Sequence, residues 1–270
     1  MSPSDRAAAV WADVEAIRAQ APLVHNITNY VVMNTTANAL LALGASPVMA
    51  HAEEEVEEMA ALAHALVLNI GTLSPPWVDA MVRAGRAARR KGIPIVLDPV
   101  GAGATRFRNA AAERLLRDAP PAVIRGNASE IRALSTAEQG TKGVDSSHAS
   151  EEALDAAQAL ARRYGCVVSV SGATDLIVSA DAVIRVSNGD PMMPRVTGLG
   201  CTASALTGAF AAVNPSPLDA AAHAMAVMGI AGELAAARAA GPGSFQMHFL
   251  DALHLLRASD VRDRLKMEAP

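Results

Sequence analysis

The sequence predicts an α/β protein with a mostly parallel central sheet covered by helices on both faces. Short β-rich apolar runs alternate with longer, Ala-rich helical patterns along most of the 270 residues. The predicted strands are apolar almost throughout, as strands buried on both faces of a parallel sheet are. No internal repeat and no linker rich in Pro, Gly or Ser divides the sequence, so residues 1–270 are predicted to form a single domain.

The first half of the chain is predicted to supply five strands and the helices between them. An opening helix over 5–20 takes Ser4 as its N-cap. Gly44 stands where a left-handed residue ends the next helix, and the glutamates at 53–55 give the following helix an acidic first turn. The predicted strands span 23–28, 47–51, 65–70, 94–98 and 122–125. The predicted helices after the first span 29–43, a segment from 53, 76–91, 108–119 and a short segment from 128.

The second half of the chain leaves this alternation after one more helix and strand, predicted over 150–164 and 167–171. Residues 134–148, which precede them, are polar and contain Gly, which predicts a surface loop. The runs 175–179 and 182–186 lie close together and alternate in polarity, which predicts an antiparallel hairpin appended to the sheet. The rest is predicted to be helical over 200–213, 219–240, 245–256 and 260–267.

Composition excludes several classes of protein. The 23 Lys and Arg against 27 Asp and Glu leave a net charge of −4 without a basic cluster, and only 3% of residues are aromatic, which argues against nucleic acid or an anionic membrane as a partner. Cys166 and Cys201 are too few for a disulfide framework and lack metal-ligand spacing. The charged first 20 residues are no signal peptide, and polar residues interrupt the uncharged stretches 21–52 and 196–218, so a cytoplasmic location without a membrane span is expected.

Four polar segments follow predicted strands at the place where parallel sheets bind ligands. In such sheets the ligand lies beyond the carboxyl ends of the strands. The segments are rich in Asn, Asp, Gly and Glu and span 25–29, 69–72, 98–103 and 125–130. We therefore predict the functional site at this edge of the sheet, and we interpret His25, beside the first segment, as structural.

The segment Thr197–Ser204, TGLGCTAS, opens a predicted helix. Glycines there let several backbone N–H groups face one anion, and the helix dipole adds positive charge, an arrangement suited to phosphoryl transfer. An ordinary Gly-capped helix start is the alternative, because Gly-x-Gly alone is a weak pattern. Asp98 and Glu130 suit a Mg²⁺ site, with a solvated Glu130 as the alternative. The chain has neither a P-loop nor a dinucleotide-binding glycine motif.

The segments VHNITN, NIGTL, LDPVGAGAT, RGNASEI and TGLGC, in this order and at these separations, resemble the hydroxyethylthiazole kinases. These are the thiamine-salvage branch of the ribokinase-like superfamily, and the resemblance spans residues 21–256. It implies a three-layer ribokinase-like fold and ATP-dependent phosphorylation of the primary alcohol of 4-methyl-5-(2-hydroxyethyl)thiazole, with Mg²⁺ as cofactor. It also implies a homotrimer with active sites at the subunit boundaries.

The resemblance also assigns roles to residues at matched positions. The residues implied to contact the thiazole are Met49, Gly198, Asn29 and Val31. Those implied to contact ATP are Arg125, Ser171 and Asn127, and those implied to organise Mg²⁺ are Asp98 and Glu130. The catalytic anion hole is implied to comprise Gly198, Gly200 and Cys201.

Cys201 stands where the wider superfamily usually has an Asp that acts as base for the substrate hydroxyl. We expect a thiol at a helix N-terminus to have a pKa lowered from about 8.5. Because phosphoryl transfer is largely dissociative, the hydroxyl needs little deprotonation early in the reaction, and a weak base suffices.

Two other functions stay open on the sequence. One is a different enzyme on this scaffold: a kinase of another small alcohol or a pyrimidine, or an ATP-dependent hydrate dehydratase, which would be expected to carry Gly-x-Gly-Asp where this chain has Cys201. The other is a non-catalytic thiazole or nucleotide binder. The joint presence of Asp98, Arg125, Glu130 and the Gly-rich turn argues against a binder.

Overall fold

A computed structural model describes residues 2–136 and 149–269 of the chain. Its helices are α1 (Pro3–Gln20), α2 (Met33–Leu43), α3 (Val56–Leu62), α4 (Pro75–Lys91), α5 (Arg106–Asp118), α6 (Ala128–Thr136), α7 (Ala149–Tyr164), α8 (Leu199–Val213), α9 (Pro217–Ala236), α10 (Pro242–Leu255) and α11 (Ala258–Arg264). Its strands are β1 (Leu23–Ile27), β2 (Ser46–Val48), β3 (Ala65–Asn69), β4 (Ile95–Asp98), β5 (Val123–Asn127), β6 (Val167–Ser171), β7 (Asp175–Val178), β8 (Val183–Val186) and β9 (Met267–Glu268).

The described strands form one sheet in the order β2-β1-β3-β4-β5-β6-β7-β8-β9. Neighbours from β2 to β6 pair in parallel, whereas β7, β8 and β9 join antiparallel. The predicted parallel sheet and appended hairpin are therefore confirmed. The register sets Asn69 beside Asp98 and Asn127 beside Ser171, so polar residues of neighbouring strands meet at the carboxyl edge.

Successive side chains of the strands enter two apolar layers, one on each face of the sheet. In β3, Val67 packs with α1, α2 and α8–α11, whereas Leu66 and Leu68 pack with α3–α7. All three side chains are buried, and burying a residue of this size stabilises the fold by about 1.5–3 kcal/mol. The three-layer fold follows from this alternation.

Several predicted helix boundaries are wrong. Ser2, rather than Ser4, caps α1: its side chain accepts the Asp5 N–H, the Asp5 carboxylate accepts the Ser2 N–H, and a proline takes the first helical position. Helix α2 begins at Met33 rather than at residue 29, and α3 begins at Val56 rather than near residue 53. Residues 29–32 and 49–55 are consequently loops at the carboxyl edge.

The predicted final helix and the predicted loop over 134–148 also need correction. The chain after Arg264 turns into strand β9, whose Met267 pairs with Val186, far away in sequence. Residues 134–136 belong to α6, and the rest of the predicted loop up to 148 lies outside the described residues. Within the described part of the chain, α9 alone has the length and apolarity to cross a bilayer, and 78% of its apolar window is buried inside the fold.

Candidate active site

A chain of buried polar side chains crosses the carboxyl edge of the sheet. The amide of Asn29 donates to Asn69 Oδ1 over 2.9 Å, and the Asn69 amide donates to Asp98 Oδ2 over 2.7 Å. Ser204, on α8, donates its hydroxyl to the same Asp98 oxygen over 2.8 Å. Asn29 Nδ2 also lies 3.4 Å from Cys201 Sγ. The loop after β1, the ends of β3 and β4, and the start of α8 are thereby held in one arrangement.

Burial sets the protonation states of Asp98 and Cys201, the two titratable groups among these hydrogen-bonded side chains. It raises the pKa of Asp98 to about 6, against the opposing effects of the Arg125 charge and the Ser204 hydrogen bond. Burial, followed by the negative charge of Asp98, raises the pKa of the Cys201 thiol to about 11. The expected lowering at the helix N-terminus is therefore wrong, because burial outweighs the helix dipole. At neutral pH Asp98 is mostly ionised and Cys201 is a neutral thiol.

The start of α8 needs glycine at two positions. Gly198 is the N-cap in the left-handed region at φ +85°, and a Cβ there would lie 2.5 Å from the Val32 side chain. A Cβ on Gly200 would lie 2.9 Å from Arg125 Nη1. No side chain caps this helix start, so its first N–H groups face outward without an intrahelical acceptor. This geometry is compatible with the predicted anion site, which stays a prediction beside the alternative of an ordinary Gly cap.

A cavity of about 810 Å³ opens beside this turn. The candidate residues that line it are Arg125, Asn127, Ser171, Gly198 and Gly200. Its apolar lining comes from Met193, Val196, Leu199, Met225 and Met228. The structure thus brings all three residues implied to contact ATP to one cavity, together with the two glycines of the turn.

The burial and charge of Arg125 favour an anionic ligand in this cavity. Its side chain is buried, and within the described residues its buried Nε has no hydrogen-bond partner. A native buried donor without a protein acceptor is rare, and a guanidinium recognises phosphate or carboxylate oxygens well. Asp175, a second lining residue, has its pKa raised to about 6 by burial while its carboxylate accepts the Gly172 N–H.

Glu130 is buried and holds two loops together. Its Oε1 accepts the Gly101 N–H and its Oε2 accepts the Asn127 N–H, both over 2.8 Å. The alternative of a solvated Glu130 is therefore wrong. The side chain joins the turn after β4 to the end of β5, and its charge lies close enough to Asp98 to oppose ionisation there.

Three of the four residues that the resemblance implied to contact the thiazole lie outside the lining of the cavity. They are Met49, on the loop after β2, Val31, which is 67% exposed, and Asn29. Asn29 contacts Cys201, which with Asp98 and Glu130 also lies outside the lining. The segments 29–32 and 49–51 are neighbours, since the rings of Tyr30 and His51 meet edge to face at 6.2 Å.

Sequence reasoning missed three residues of this edge as individual site residues. Asn69 and Ser204 lie within segments that were singled out, and a polar residue at a buried strand end or inside an apolar helix was the available signal. Arg108 gave no signal, because an arginine in an amphipathic helix predicts a solvent-facing side chain. Its guanidinium instead donates to the carbonyls of Ile70, Val100 and Gly71, which joins the loops after β3 and β4.

The fold and the arrangement of its carboxyl edge define a ribokinase-like α/β protein. The chain belongs to the hydroxyethylthiazole kinase family, whose model matches residues 14–259. It is 62% identical over 260 residues to the hydroxyethylthiazole kinase of Syntrophus aciditrophicus, covering 96% of each chain. It is 61% identical to that of Oleidesulfovibrio alaskensis, covering 93% of this chain and 95% of the relative.

Solved structures agree with this membership. The hydroxyethylthiazole kinase protein of Pyrococcus horikoshii OT3 superposes with a TM-score of 0.90 at 46% identity, over 97% of this chain and 98% of that chain. The pyridoxal kinase of Staphylococcus aureus, at 15% identity, superposes with a TM-score of 0.64 over 92% of this chain and 98% of its own. That second likeness shows the shared fold alone, and the predicted fold class is confirmed.

Proposed function

We propose that this protein transfers the γ-phosphoryl group of ATP to the primary hydroxyl of 4-methyl-5-(2-hydroxyethyl)thiazole, a reaction of thiamine salvage. The observation that carries the proposal is the start of α8. Gly198 and Gly200 of this start line a cavity of nucleotide size together with Arg125, and the first N–H groups of the helix lack an intrahelical acceptor. Its Cys201 contacts Asn29, which together with Val31 and Met49 forms what we call the acceptor side. Membership of the hydroxyethylthiazole kinase family supports the choice of acceptor.

ATP occupies the cavity of about 810 Å³ in this proposal. Arg125, which lines the cavity, pairs with the phosphates through its guanidinium. The N–H groups from Gly198 to Cys201 face the transferred group, where charge spreads over the equatorial oxygens. Asn127 and Ser171 line the same cavity and contact the nucleotide.

Cys201 positions the acceptor hydroxyl in this proposal. Because burial raises the pKa of its thiol to about 11, the sulfur at neutral pH is too weak a base to remove a proton before transfer. In a largely dissociative transfer, the hydroxyl proton leaves after the bond to the leaving group has weakened, and it passes to an oxygen of the transferred phosphoryl group. Asn29, within 3.4 Å of Sγ, keeps the thiol in place.

The carboxylates of this edge fit a Mg²⁺ ion that is held mainly by phosphate oxygens and water. Asp98 and Glu130 form the acidic pair, and no group of three or more His, Cys, Asp or Glu side chains suited to a metal exists among the described residues. Each Glu130 oxygen accepts one backbone N–H and keeps a further lone pair, so this carboxylate could also help to hold the ion. The ion, when bound, neutralises charge on the phosphates.

The proposal extends to assembly and location. We infer a single-domain cytoplasmic subunit that forms a homotrimer with the active sites at the subunit boundaries. The resemblance is the basis for the trimer, and the exposed Tyr30 and Val31, 63% and 67% accessible beside the acceptor side, support a boundary there.

A coupled ADP-release assay tests the function. We expect ADP release with the thiazole alcohol, ATP and Mg²⁺, and clearly less with other hydroxyethyl heterocycles or with pyrimidine alcohols. Efficient release with a different alcohol alone would assign another kinase activity to the scaffold. No release with any alcohol, despite tight ATP binding, would favour a nucleotide binder.

A further inference from the structure

We propose that His25 is a positioning residue that fixes the segment Met49–His51 against the acceptor side of the site. The inference rests on the proposed function and on the contact between Met49 and the thiazole that the resemblance implies. His25 itself lies inside strand β1, four residues before Asn29, and its side chain is fully buried.

The hydrogen bond of the imidazole fixes its tautomer. His25 Nε2 lies 2.8 Å from the carbonyl oxygen of Ala50, and a carbonyl oxygen only accepts, so Nε2 carries the proton. Nδ1 is then an unprotonated acceptor, and it has no partner within the described residues. Burial also lowers the pKa of His25, in keeping with a neutral ring. The imidazole thus buries an acceptor, Nδ1, without a partner in the described part of the chain, and an apolar side chain would avoid this cost. Packing alone therefore does not explain a histidine at this position.

The position of Ala50 supplies that explanation. Strand β2 is an edge strand of three residues that ends at Val48, the partner of His25 in the sheet register. Residues 49–51 follow the strand without further sheet pairing. Backbone pairing with β1 therefore ends at Val48, and the hydrogen bond from the His25 side chain to the Ala50 carbonyl holds the next residues to the same strand.

A second histidine holds the same segment from its outer side. His51 Nδ1 lies 3.3 Å from the Met49 carbonyl oxygen, and its ring packs against Trp77 and Tyr30 at centroid distances of 4.7 and 6.2 Å. The Met49 and Ala50 carbonyls are thus each contacted by a histidine. His51 in turn packs on the aromatic rings that follow β1 and open α4.

The side-chain geometry of glutamine and asparagine gives a sharp test. Glutamine places an amide NH₂ close to the position of imidazole Nε2, whereas asparagine ends near Nδ1 and stops short of Ala50. We expect His25→Gln to keep KM for the thiazole alcohol within about threefold of the unsubstituted enzyme and His25→Asn to raise it about tenfold or more, with KM for ATP unchanged in both. The control is His64→Gln: His64 contacts the backbone at the amino end of β1, and its variant should change neither KM.

A second measurement separates the inference from the proposed function. Hydrogen exchange of the peptide containing residues 49–52 should be faster in His25→Asn than in His25→Gln, whatever the enzyme phosphorylates. If the unsubstituted enzyme does not phosphorylate the thiazole alcohol, the proposed function fails and the exchange rates alone decide the positioning role. The inference is overturned if the Gln and Asn variants have the same KM for the thiazole alcohol and the same exchange rate. It is also overturned if KM for ATP rises as much as KM for the thiazole alcohol.

A substitution of His51 serves if the His25 variants do not fold. His51→Phe keeps the ring packing and should still raise KM for the thiazole alcohol, and an unchanged KM overturns the inference.

Discussion

The carboxylate of Asp98 is ionised at neutral pH against the effect of its burial. Its pKa in the folded protein is about 6, above the value of 3.8 for an unperturbed Asp, so folding favours the protonated form. This contribution to stability is complete below about pH 4 and is lost as the pH rises through about 6. The difference corresponds to about 3 kcal/mol of unfolding free energy at neutral pH.

Asp98→Asn should therefore stabilise the protein at pH 8 and abolish most of its activity. An amide resembles the protonated carboxyl, so we expect the free energy of unfolding to rise by about 3 kcal/mol at pH 8 and to stay unchanged at pH 4. Turnover should fall by about a hundredfold or more, because the charge beside the phosphates is gone. Urea titrations at the two pH values check the first effect, with the exposed Asp251→Asn as control. Equal stability gains at both pH values would contradict the explanation by burial.

A substitution of Gly200, next to Arg125, tests the proposed anion site. Because a Cβ at residue 200 would lie 2.9 Å from Arg125 Nη1, Gly200→Ala should displace the guanidinium and raise KM for ATP about tenfold. The matched control is Gly243→Ala, in α10, where an added Cβ meets no atom within 4 Å. Unchanged ATP kinetics in Gly200→Ala would place the phosphates away from the start of α8.

Substitutions of Cys201 test whether the reaction needs a base at this position. Cys201→Asp should keep or raise turnover, because a carboxylate accepts a proton more readily than a thiol with a pKa of about 11. Cys201→Ala should lower kcat only about tenfold, since the remaining anion site still positions the transferred group. Single-turnover rates of the two variants provide the measurement. A fall in the single-turnover rate of Cys201→Asp as large as the tenfold loss expected for Cys201→Ala would contradict this explanation.

At the residue scale, the sequence carries more information on positions than on environments. Arg125, Asn127 and Ser171, which the resemblance assigned to ATP, line one cavity, and their contact with ATP stays a prediction. The direction of the Cys201 pKa was wrong, because the sequence shows the helix start but not the packing that buries the thiol. Arg108 was missed for the same reason, since its three carbonyl partners come together only in the folded chain.

At the scale of secondary-structure elements, α9 supports one wall of the nucleotide cavity. Glu233 Oε1 accepts hydrogen bonds from Asn188 Nδ2, the Gly189 N–H and Lys266 Nζ at 2.9–3.2 Å. Asn188 and Gly189 line the cavity, and Lys266 immediately precedes β9. A single carboxylate thus holds the cavity wall and the final strand on the same helix.

Glu233→Ala should loosen this wall. The substitution leaves the Gly189 N–H without its acceptor, whereas Asn188 Nδ2 keeps its bond to the Arg264 carbonyl. We therefore expect the free energy of unfolding to fall by about 1–3 kcal/mol. KM for ATP should rise while KM for the thiazole alcohol stays unchanged, because the acceptor side shares no contact with this network. The variant Asp251→Ala, on the exposed face of α10, serves as control. A rise in both KM values would show a general loss of structure instead.

The elements themselves were predictable wherever the signal was local. The parallel strands and their helices follow from apolar runs and periodicity, and the hairpin β7–β8 follows from its close spacing. Strand β9 was not predictable, because Met267 and Glu268 take strand geometry only through pairing with β8, about 80 residues earlier. The late start of α2 escaped prediction because Asn29 makes its hydrogen bonds to Asn69 and Cys201, both distant in sequence.

At the scale of the whole molecule, the carboxyl edge has an exposed apolar margin next to its most buried polar residues. Asn29 is 4% exposed, whereas Tyr30 and Val31, the next two residues, are 63% and 67% exposed. These two exposed apolar side chains lie where the proposed subunit boundary would bury them. A closed symmetric assembly would cover this margin in every subunit alike and would place Met49 and Val31 in an enclosed site.

Val31→Lys should therefore disrupt assembly and activity together. A lysine in an apolar subunit boundary loses hydration without gaining a partner, so we expect the mass in light scattering to fall from three times the 27.8 kDa of one chain toward that of the monomer. KM for the thiazole alcohol should rise more than KM for ATP, because Arg125 and its cavity lie within one chain. The control is Leu255→Lys, an exposed residue of α10 whose neighbouring carbonyls bind Arg18 of α1. A trimer with full activity in Val31→Lys would place the boundary elsewhere, and the site would then be complete within one subunit.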